Sequence, residues 1–235
     1  MNLFDRLRGV FLNPQKTFAA LAERPVWVDI FIVVFVAIGL FSYLTAPYFQ
    51  KDTLQIWKDN VKMQEKIGKE RFQRQLDRLA NPSPAGTMVR ALVITPLTFL
   101  IGFLFSGLII LVLSRLVSQQ GSYRQVWAAL LHANLIDKIL GNAVRLALIL
   151  TRKSFMQTST GLALFFPKMD MATPGYVILS QFDFFQLWMF GVLAYGISAI
   201  FKIELKKALI ISYGFWLLKA VFSSALGIIG LSFMR

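Results

Sequence analysis

Five ionisable side chains lie inside stretches of sequence that are otherwise strongly apolar. They are Asp137, Lys138, Arg145, Asp183 and Lys219. An isolated charge in an apolar medium is very costly, so each group must be hydrated, paired, or part of a path for protons or ions. Which of these chemistries applies depends on the solvent that surrounds the segments and on the helices that hold them.

Few other residues could support chemistry. The chain has one histidine, His132, and no cysteine, so disulfides are excluded and almost nothing is left for a transition-metal site. His132 stands near the start of an apolar run, where a packed or interfacial histidine is favoured over a proton carrier. The sequence contains no Gly-rich phosphate loop, Ser-His-Asp set or zinc-protease motif. We therefore expect no catalytic residues, no metal, no cofactor and no enzymatic activity.

The composition identifies the solvent as a lipid bilayer. The chain is 56% hydrophobic and 16% charged, with 22 Phe and a mean hydropathy of +0.60. Five apolar runs reach the roughly 20 residues that a spanning helix needs: residues 26–46, 91–117, 126–151, 177–201 and 208–231. The third run is the weakest, because Asp137, Lys138, Asn142 and Arg145 interrupt it. The sequence predicts an all-α integral membrane protein, a single domain over residues 1–235 with a five-helix bundle.

The first 25 residues carry their own helical pattern. Leu3, Leu7 and Phe11 share a predicted apolar face with Phe4 and Val10. A second short helix is predicted after them, because residues 13–14 read Asn-Pro, an N-cap followed by proline at the first helical position. A basic amphipathic helix of this kind either lies in the membrane interface or packs on the protein itself. The sequence leaves both arrangements open.

Residues 47–90 form a long connector between the first two predicted spans. Apolar residues recur along it mostly at steps of three to five, including Trp57, Val61, Phe72 and Leu76. This spacing predicts one or two amphipathic helices, from about residue 52 to residue 80, with a kink at Gly68. Trp and Phe are enriched at the centres of protein interfaces, so these four residues are a candidate face for a partner protein. Packing over the chain's own loop 152–176 is the alternative.

Depth along the predicted helices pairs four of the five intramembrane charges. At 1.5 Å per residue, Arg145 and Asp183 each lie about 9 Å from the same end of their antiparallel spans. The same arithmetic places Asp137 and Lys219 near mid-membrane. Two ion pairs between helices, Arg145–Asp183 and Asp137–Lys219, would leave only Lys138 over. We favour this structural role over an ion or proton pathway, because the charges balance and no broken-helix pair or inverted repeat is evident in the sequence.

The charge distribution does not orient the chain in the membrane. With the amino end in the cytoplasm, the inner side carries nine Lys or Arg and the outer side thirteen, nine of them in the connector 47–90. The rule that positive charge stays inside is weak for a connector of this length. The net charge of +13 suits contact with anionic lipid headgroups and requires no nucleic acid.

One stretch, "LSQFDFFQLWMFGVLAYGISAIFKIELKKALI", resembles the most distinctive part of the bacterial Yip-domain family, membrane proteins of the Ypt-interacting-protein type. Family members show an aspartate, an aromatic residue two positions on and a tryptophan five positions on, here Asp183, Phe185 and Trp188. A glycine of the same helix follows, here Gly196, and then a short turn with lysines, here residues 202–207. The opening "FLNPQKTFAALAERPVW" and the segment "GLALFF" are also similar to the family. The connector 47–90 departs from it, being longer and more charged.

The resemblance implies five spans, a cytoplasmic amino end, an extracytoplasmic carboxyl end and no enzymatic activity. It implies a multi-pass protein of the bacterial cytoplasmic (inner) membrane that acts as an accessory or scaffold. An ABC-type exporter with its periplasmic adaptor protein is the partner that the resemblance suggests. A small transporter or ion channel that uses the intramembrane charges is the alternative function. The sequence does not indicate an oligomeric state.

Overall fold

The computed structural model describes residues 1–156, 160–166, 168–170 and 173–234, without the side chains of residues 61–63 and 232–234. Within these ranges the protein is built from α-helices, with one isolated antiparallel bridge between Gly161 and Asp183. The helices are α1 (Leu3–Leu12), α2 (Pro14–Glu23), α3 (Val28–Lys58), α4 (Val61–Ile67), α5 (Lys69–Ala80), α6 (Pro84–Val89), α7 (Thr95–Arg115), α8 (Tyr123–Leu135), α9 (Asn142–Arg152), α10 (Pro174–Ser180), α11 (Phe184–Phe201) and α12 (Leu205–Met234). Two π-helical segments, Arg90–Ile94 and Ile136–Gly141, lead into α7 and α9, and a 3₁₀ turn covers Leu162–Phe165.

Four helical stretches of the described chain are long and apolar enough to cross a membrane. They are Val28–Lys58, Pro84–Arg115, Phe184–Phe201 and Leu205–Leu231. The all-α prediction is therefore confirmed for the described residues, and these four candidate spans overlap four of the five predicted ones. The predicted third span, 126–151, is helical from Tyr123 to Arg152, but it is not among the four. Its charged, amide and imidazole side chains lower its hydropathy below that of its neighbours.

Helix α8 forms the centre of the bundle. Every residue from Val126 to Asp137 is buried, and α8 packs against α1, α2, α3, α7 and α11. Its amino end is closed by a capping box, in which Ser122 accepts from the backbone N–H of Gln125 and the Gln125 side chain returns the bond. The predicted hairpins are both present, because α7 packs against α8 and α11 packs against α12.

The two amino-terminal helices pack on this bundle. Asn13 caps α2 as predicted, its side chain accepting from the backbone N–H of Lys16, with Pro14 at the first helical position. Val10, Phe18 and Leu21 are buried in the shared core. The packed arrangement is therefore the one that the structure shows for this face. Phe4 and Leu12 stay exposed on α1, and contact of these two side chains with the membrane interface is still a prediction.

The connector differs from its prediction in two ways. Helix α3 does not stop before Pro47 but continues through it to Lys58. An interior proline costs a helix one hydrogen bond and a steric clash, but long apolar helices of membrane proteins tolerate it. The predicted helix from residue 52 to residue 80 is divided at Asp59–Asn60 and at Gly68, whose φ of +84° suits glycine. As a result α5 turns back and packs along α3.

The predicted fourth span is also divided. Helix α10 ends at Ser180, and α11 begins at Phe184 with Asp183 as its N-cap. The predicted span 177–201 is continuous through Asp183, and the structure corrects this, because the helix is interrupted at residues 181–183. The aspartate that looked like an insertion in an apolar helix lies at a helix start, where its carboxylate has backbone N–H groups to bind.

Candidate functional site

Asp183 is positioned by the break between α10 and α11. Its Oδ1 accepts from the backbone N–H of Gln186 at 3.0 Å. The backbone on both sides of Asp183 pairs with the chain around Gly161, because Phe184 N–H donates to the Thr160 carbonyl at 3.2 Å and Leu162 N–H donates to the Phe182 carbonyl at 3.1 Å. A Cβ at residue 161 would lie 3.1 Å from the Ser180 carbonyl oxygen, so this close approach of two backbones favours glycine.

Arg145 lies between two carboxylates. Its Nη2 is 2.7 Å from Asp137 Oδ1 and 2.9 Å from Asp183 Oδ1. Its Nε donates to Thr160 Oγ1 at 3.0 Å, and its Nη1 donates to Asn142 Oδ1 and to the Asp137 carbonyl. A guanidinium has five N–H donors, and these five bonds use all of them. The structure thus brings Arg145 and Asp183 together, as the depth argument predicted, and adds Asp137 to the pair.

The π-helical segment Ile136–Gly141 explains why Asp137 joins this cluster. In an unbroken α-helix, residues eight apart point about 80° away from each other, whereas residues seven apart share a face. A π-helical turn accommodates one extra residue, so Asp137 and Arg145 behave as if they were seven apart. With α-helical spacing throughout, Asp137 and Arg145 would point to different faces of the helix, and the depth argument contains no signal for the extra residue.

The predicted pair between Asp137 and Lys219 was wrong. Asp137 Oδ2 binds Lys138 Nζ at 2.6 Å, and its other oxygen binds Arg145. Lys219 instead donates to Gln186 Oε1 at 3.0 Å and lies 5.9 Å from the centre of the Phe190 ring. The lysine expected to be left over, Lys138, is thus paired, because its own neighbour on the π-helical segment is within reach.

Each residue of the resemblance motif has a distinct contact. The Phe185 ring lies 5.6 Å from the Arg145 guanidinium carbon, while its neighbour Asp183 binds the same group. Trp188 packs edge to face on Phe11 of α1 at 6.1 Å. A methyl group on Gly196 would lie 2.9 Å from Phe18 Cδ1 of α2 and from a side chain of α8. Asp137, Lys138, Arg145 and Asp183 together form what we call the charge cluster. Helix α11 therefore connects this charge cluster to the amino-terminal helices α1 and α2.

The candidate partner face is partly internal. Phe72 is 6% exposed, and its ring lies 5.9 Å from that of Trp57. Leu76 is half-buried on the same helix, and the side chain of Val61 lies outside the described residues. The predicted face is therefore not a free surface at Phe72, because α5 folds back and covers it with the end of α3.

Two polar anchors were missed by sequence reasoning. Asp52 Oδ2 accepts from Ser154 Oγ and from the backbone N–H groups of Phe155 and Met156, at 2.7 to 2.9 Å. Arg6 is 5% exposed and forms an ion pair with Asp29, which joins α1 to the start of α3. The only available signal was a charge in each amphipathic segment, and such charges are ordinarily solvated.

The cluster offers no metal site. Among the described residues, no group of three or more His, Cys, Asp or Glu side chains is arranged to hold a metal ion. The Asp137 and Asp183 carboxylates are bound to cations of the chain itself. Chemically, the arrangement can dock helices; a mobile proton or ion would have to displace these bonds.

The comparison with protein families agrees with the family that the motif residues indicate. The family model of the Yip1 domain matches residues 8–227, which include all of the elements that build the charge cluster. Comparison with curated proteins and with solved structures found no significant match. Because the family model covers nearly the whole chain, the chain belongs to the Yip1 domain family.

Proposed function

We propose that this protein is a non-enzymatic accessory or scaffold protein of the bacterial cytoplasmic membrane. The observation that carries the proposal is the complete use of the Arg145 donors by two carboxylates and their neighbours. A relay needs groups that gain and lose protons, whereas a guanidinium stays charged. The cluster therefore holds α9 against α11 and the 160–161 segment rather than passing ions.

We also propose that the chain crosses the membrane five times. The helical run from Tyr123 to Arg152 would be about 45 Å long at 1.5 Å per residue, which exceeds the roughly 30 Å of a hydrocarbon core. The backbone is in the right-handed helical region at both ends of the π-helical segment, at Leu135, Ile136 and Asn142. A helix enclosed by other helices does not face lipid, so its polar side chains do not argue against a span.

An odd number of spans places the two ends on opposite sides. We propose a cytoplasmic amino end and an extracytoplasmic carboxyl end, as the family resemblance implies. A reporter that works only in the cytoplasm should be active when fused after Glu23 or within residues 202–207, and silent after Arg235. Activity at the carboxyl end would contradict either the span count or the orientation.

An ABC-type exporter with its periplasmic adaptor protein is the partner we propose. The support for this partner is the family resemblance alone. Because Phe72 is buried, the partner would have to contact other surfaces of the protein. Co-purification of the full chain from native membrane, followed by identification of the bound proteins, tests it. Recovery of the chain without an exporter or adaptor, under conditions that preserve known membrane complexes, would contradict the proposal.

A small transporter or ion channel is the second candidate. Two observations favour it: the break at Gln181–Asp183, and a cavity of about 280 Å³ that Asp137, Lys138 and Lys219 line together. Broken helices and intramembrane charges are features of ion pathways. Ion flux across liposomes that contain the purified protein separates the two candidates. Flux that Lys219→Met abolishes would replace the scaffold proposal, whereas tight liposomes would support it.

A further inference from the structure

A second cavity lies between α3, the two π-helical segments and the loop that follows α9. Its volume is about 340 Å³, within the range of roughly 300–1,000 Å³ that small-ligand sites occupy. Aromatic side chains form much of its wall, among them Phe41, Phe49 and Phe99. No part of the charge cluster's docking role requires this cavity.

Both π-helical segments border the cavity. The segment Arg90–Ile94 contributes Arg90, and the segment Ile136–Gly141 contributes Lys138. Isolated π-helical turns occur frequently at functional sites, where they direct side chains that an α-helix would point elsewhere. Two such turns border this cavity, which indicates that the helix geometry itself determines the cavity's shape.

The charges that line the cavity have one sign. Among the described lining residues, Arg90 and Lys138 are the charged ones, and both are cations. Lys138 is already paired with Asp137, whereas the structure gives the Arg90 guanidinium no ion pair among the described residues. The polar remainder is uncharged; Gln50 donates to Thr87 at 3.1 Å beside Arg90.

A membrane-spanning α7 with Arg115 at one surface would carry Arg90 to the headgroup level of the other surface. Residues 90 and 115 are separated by about 37 Å of helix at 1.5 Å per residue, compared with a hydrocarbon thickness of roughly 30 Å. Along α3 the cavity lining continues from Gln50 to Ile38, about 18 Å of helix at 1.5 Å per residue, and it also includes Lys138. A cation at headgroup level above an apolar slot matches an amphiphile with an anionic head and an alkyl chain.

We propose that this cavity binds one anionic membrane lipid, with its phosphate at Arg90 and one acyl chain between Phe41 and Phe99. A free phosphate would satisfy Arg90 but leave the aromatic wall unoccupied. A zwitterionic lipid could place its acyl chain against the aromatic wall, but the cation of its headgroup would repel Arg90. The anionic lipid is the ligand that uses both halves of the site.

The test uses the full chain, purified in an uncharged detergent. Binding of phosphatidylglycerol and of phosphatidylcholine with the same acyl chains is measured by native mass spectrometry, and inorganic phosphate is added as a competitor. One Lys or Arg near a membrane surface contributes about 1 kcal/mol with anionic lipid, so Arg90→Gln should lower the preference for phosphatidylglycerol about fivefold. Inorganic phosphate should not displace the lipid.

Matched variants test the contribution of the lipid headgroup separately from that of the acyl chain. Arg78→Gln removes an exposed arginine of α5 and should leave the preference unchanged. Ala46→Phe fills the aromatic slot and should weaken both lipids, whereas Leu44→Phe, on the exposed side of the same helix, should not. Thr87→Glu places a carboxylate beside Arg90 and should reproduce the Arg90→Gln effect if that variant does not fold.

The outcomes decide the proposal. A loss of preference in Arg90→Gln or Thr87→Glu, with Arg78→Gln unchanged, supports it. Equal binding of the two lipids by the unaltered protein overturns it. Displacement of the lipid by inorganic phosphate overturns it as well, because the site would then be a free-anion site. Equal effects of Ala46→Phe and Leu44→Phe would show that the chain does not occupy the cavity.

Discussion

Helices α7 and α8 are neighbours in the sequence and in space, but they differ in what surrounds them. Helix α7 exposes large apolar side chains along its length, among them Leu97, Phe105 and Val112. Helix α8 is buried throughout its middle and carries His132 and Asn134 there.

Two buried polar groups of α8 bind backbone carbonyls of the same helix, whereas His132 Nε2 is buried without a partner among the described residues. His132 Nδ1 lies 2.8 Å from the Ala128 carbonyl, and Asn134 Nδ2 donates to the Leu130 carbonyl at 2.8 Å. The difference between the two helices shows that low hydropathy can accompany burial in protein, because α8 is surrounded by other helices whereas α7 exposes its apolar side chains. The central helix of a bundle can be the least apolar one, because protein groups replace water as hydrogen-bond partners.

The largest effect is expected at Arg145 of α9, which follows the central helix α8 beyond the π-helical segment. Arg145→Leu leaves Asp183 buried without a cation, which costs about 3–5 kcal/mol in the buried limit. We expect a large loss of thermal stability in detergent, partly recovered by Arg145→Leu with Asp183→Asn. The matched control is Arg124→Leu, at the exposed start of α8, and should change little. Equal losses for the two arginines would contradict the docking role.

The next effect compares the apolar side chains of the two helices. Leu131 is fully buried in α8, whereas Phe105 of α7 is 63% exposed. Leu131→Ala should cost about 2–5 kcal/mol through lost contacts and a cavity. Phe105→Ala removes a larger side chain but should lower the free energy of unfolding far less, because the exposed Phe105 ring contacts lipid or detergent rather than other side chains. Thermal unfolding in detergent measures both, and a larger loss for Phe105→Ala would mean that α7 is buried by something other than lipid.

A smaller contrast concerns glycines. A methyl group on Gly196 would lie within 2.9 Å of side chains from α2 and α8, whereas nothing lies within 4 Å of one on Gly102 of α7. Gly196→Ala should destabilise by about 1–3 kcal/mol through overpacking. Gly102→Ala should be neutral or slightly stabilising, since alanine is the better helix former. If Gly196→Ala were neutral, the packing of α2 on α11 would have to be looser than the structure shows.

The smallest effect is expected at Lys219. Its hydrogen bond to Gln186 contributes on the order of 1 kcal/mol, so Lys219→Met should change the melting temperature only slightly. An ion pair with Asp137 would instead make the loss comparable to that of Arg145→Leu. The ratio of the two losses, measured on the same preparation, therefore tests the corrected pairing directly.

Much of the fold could be predicted, because membrane helices leave strong local signals. Apolar runs, the Asn13 cap and the short turns between hairpins follow from residue type and spacing. The pairing of Arg145 with Asp183 followed from depth alone, since antiparallel helices bring residues at equal depth together. The pairing of Asp137 did not, because a single π-helical turn shifts a face without changing composition.

The sequence by itself determined the solvent, the helices and the need to pair the buried charges, since each follows from the free energy of placing a residue in lipid. Only the tertiary structure decided which residue meets which partner. The turn-back of α5 onto Trp57, the break at Asp183 and the central place of α8 depend on contacts between distant parts of the chain. At each of these places several side chains that are far apart in sequence could form the same contact, and the local sequence does not specify which of them does.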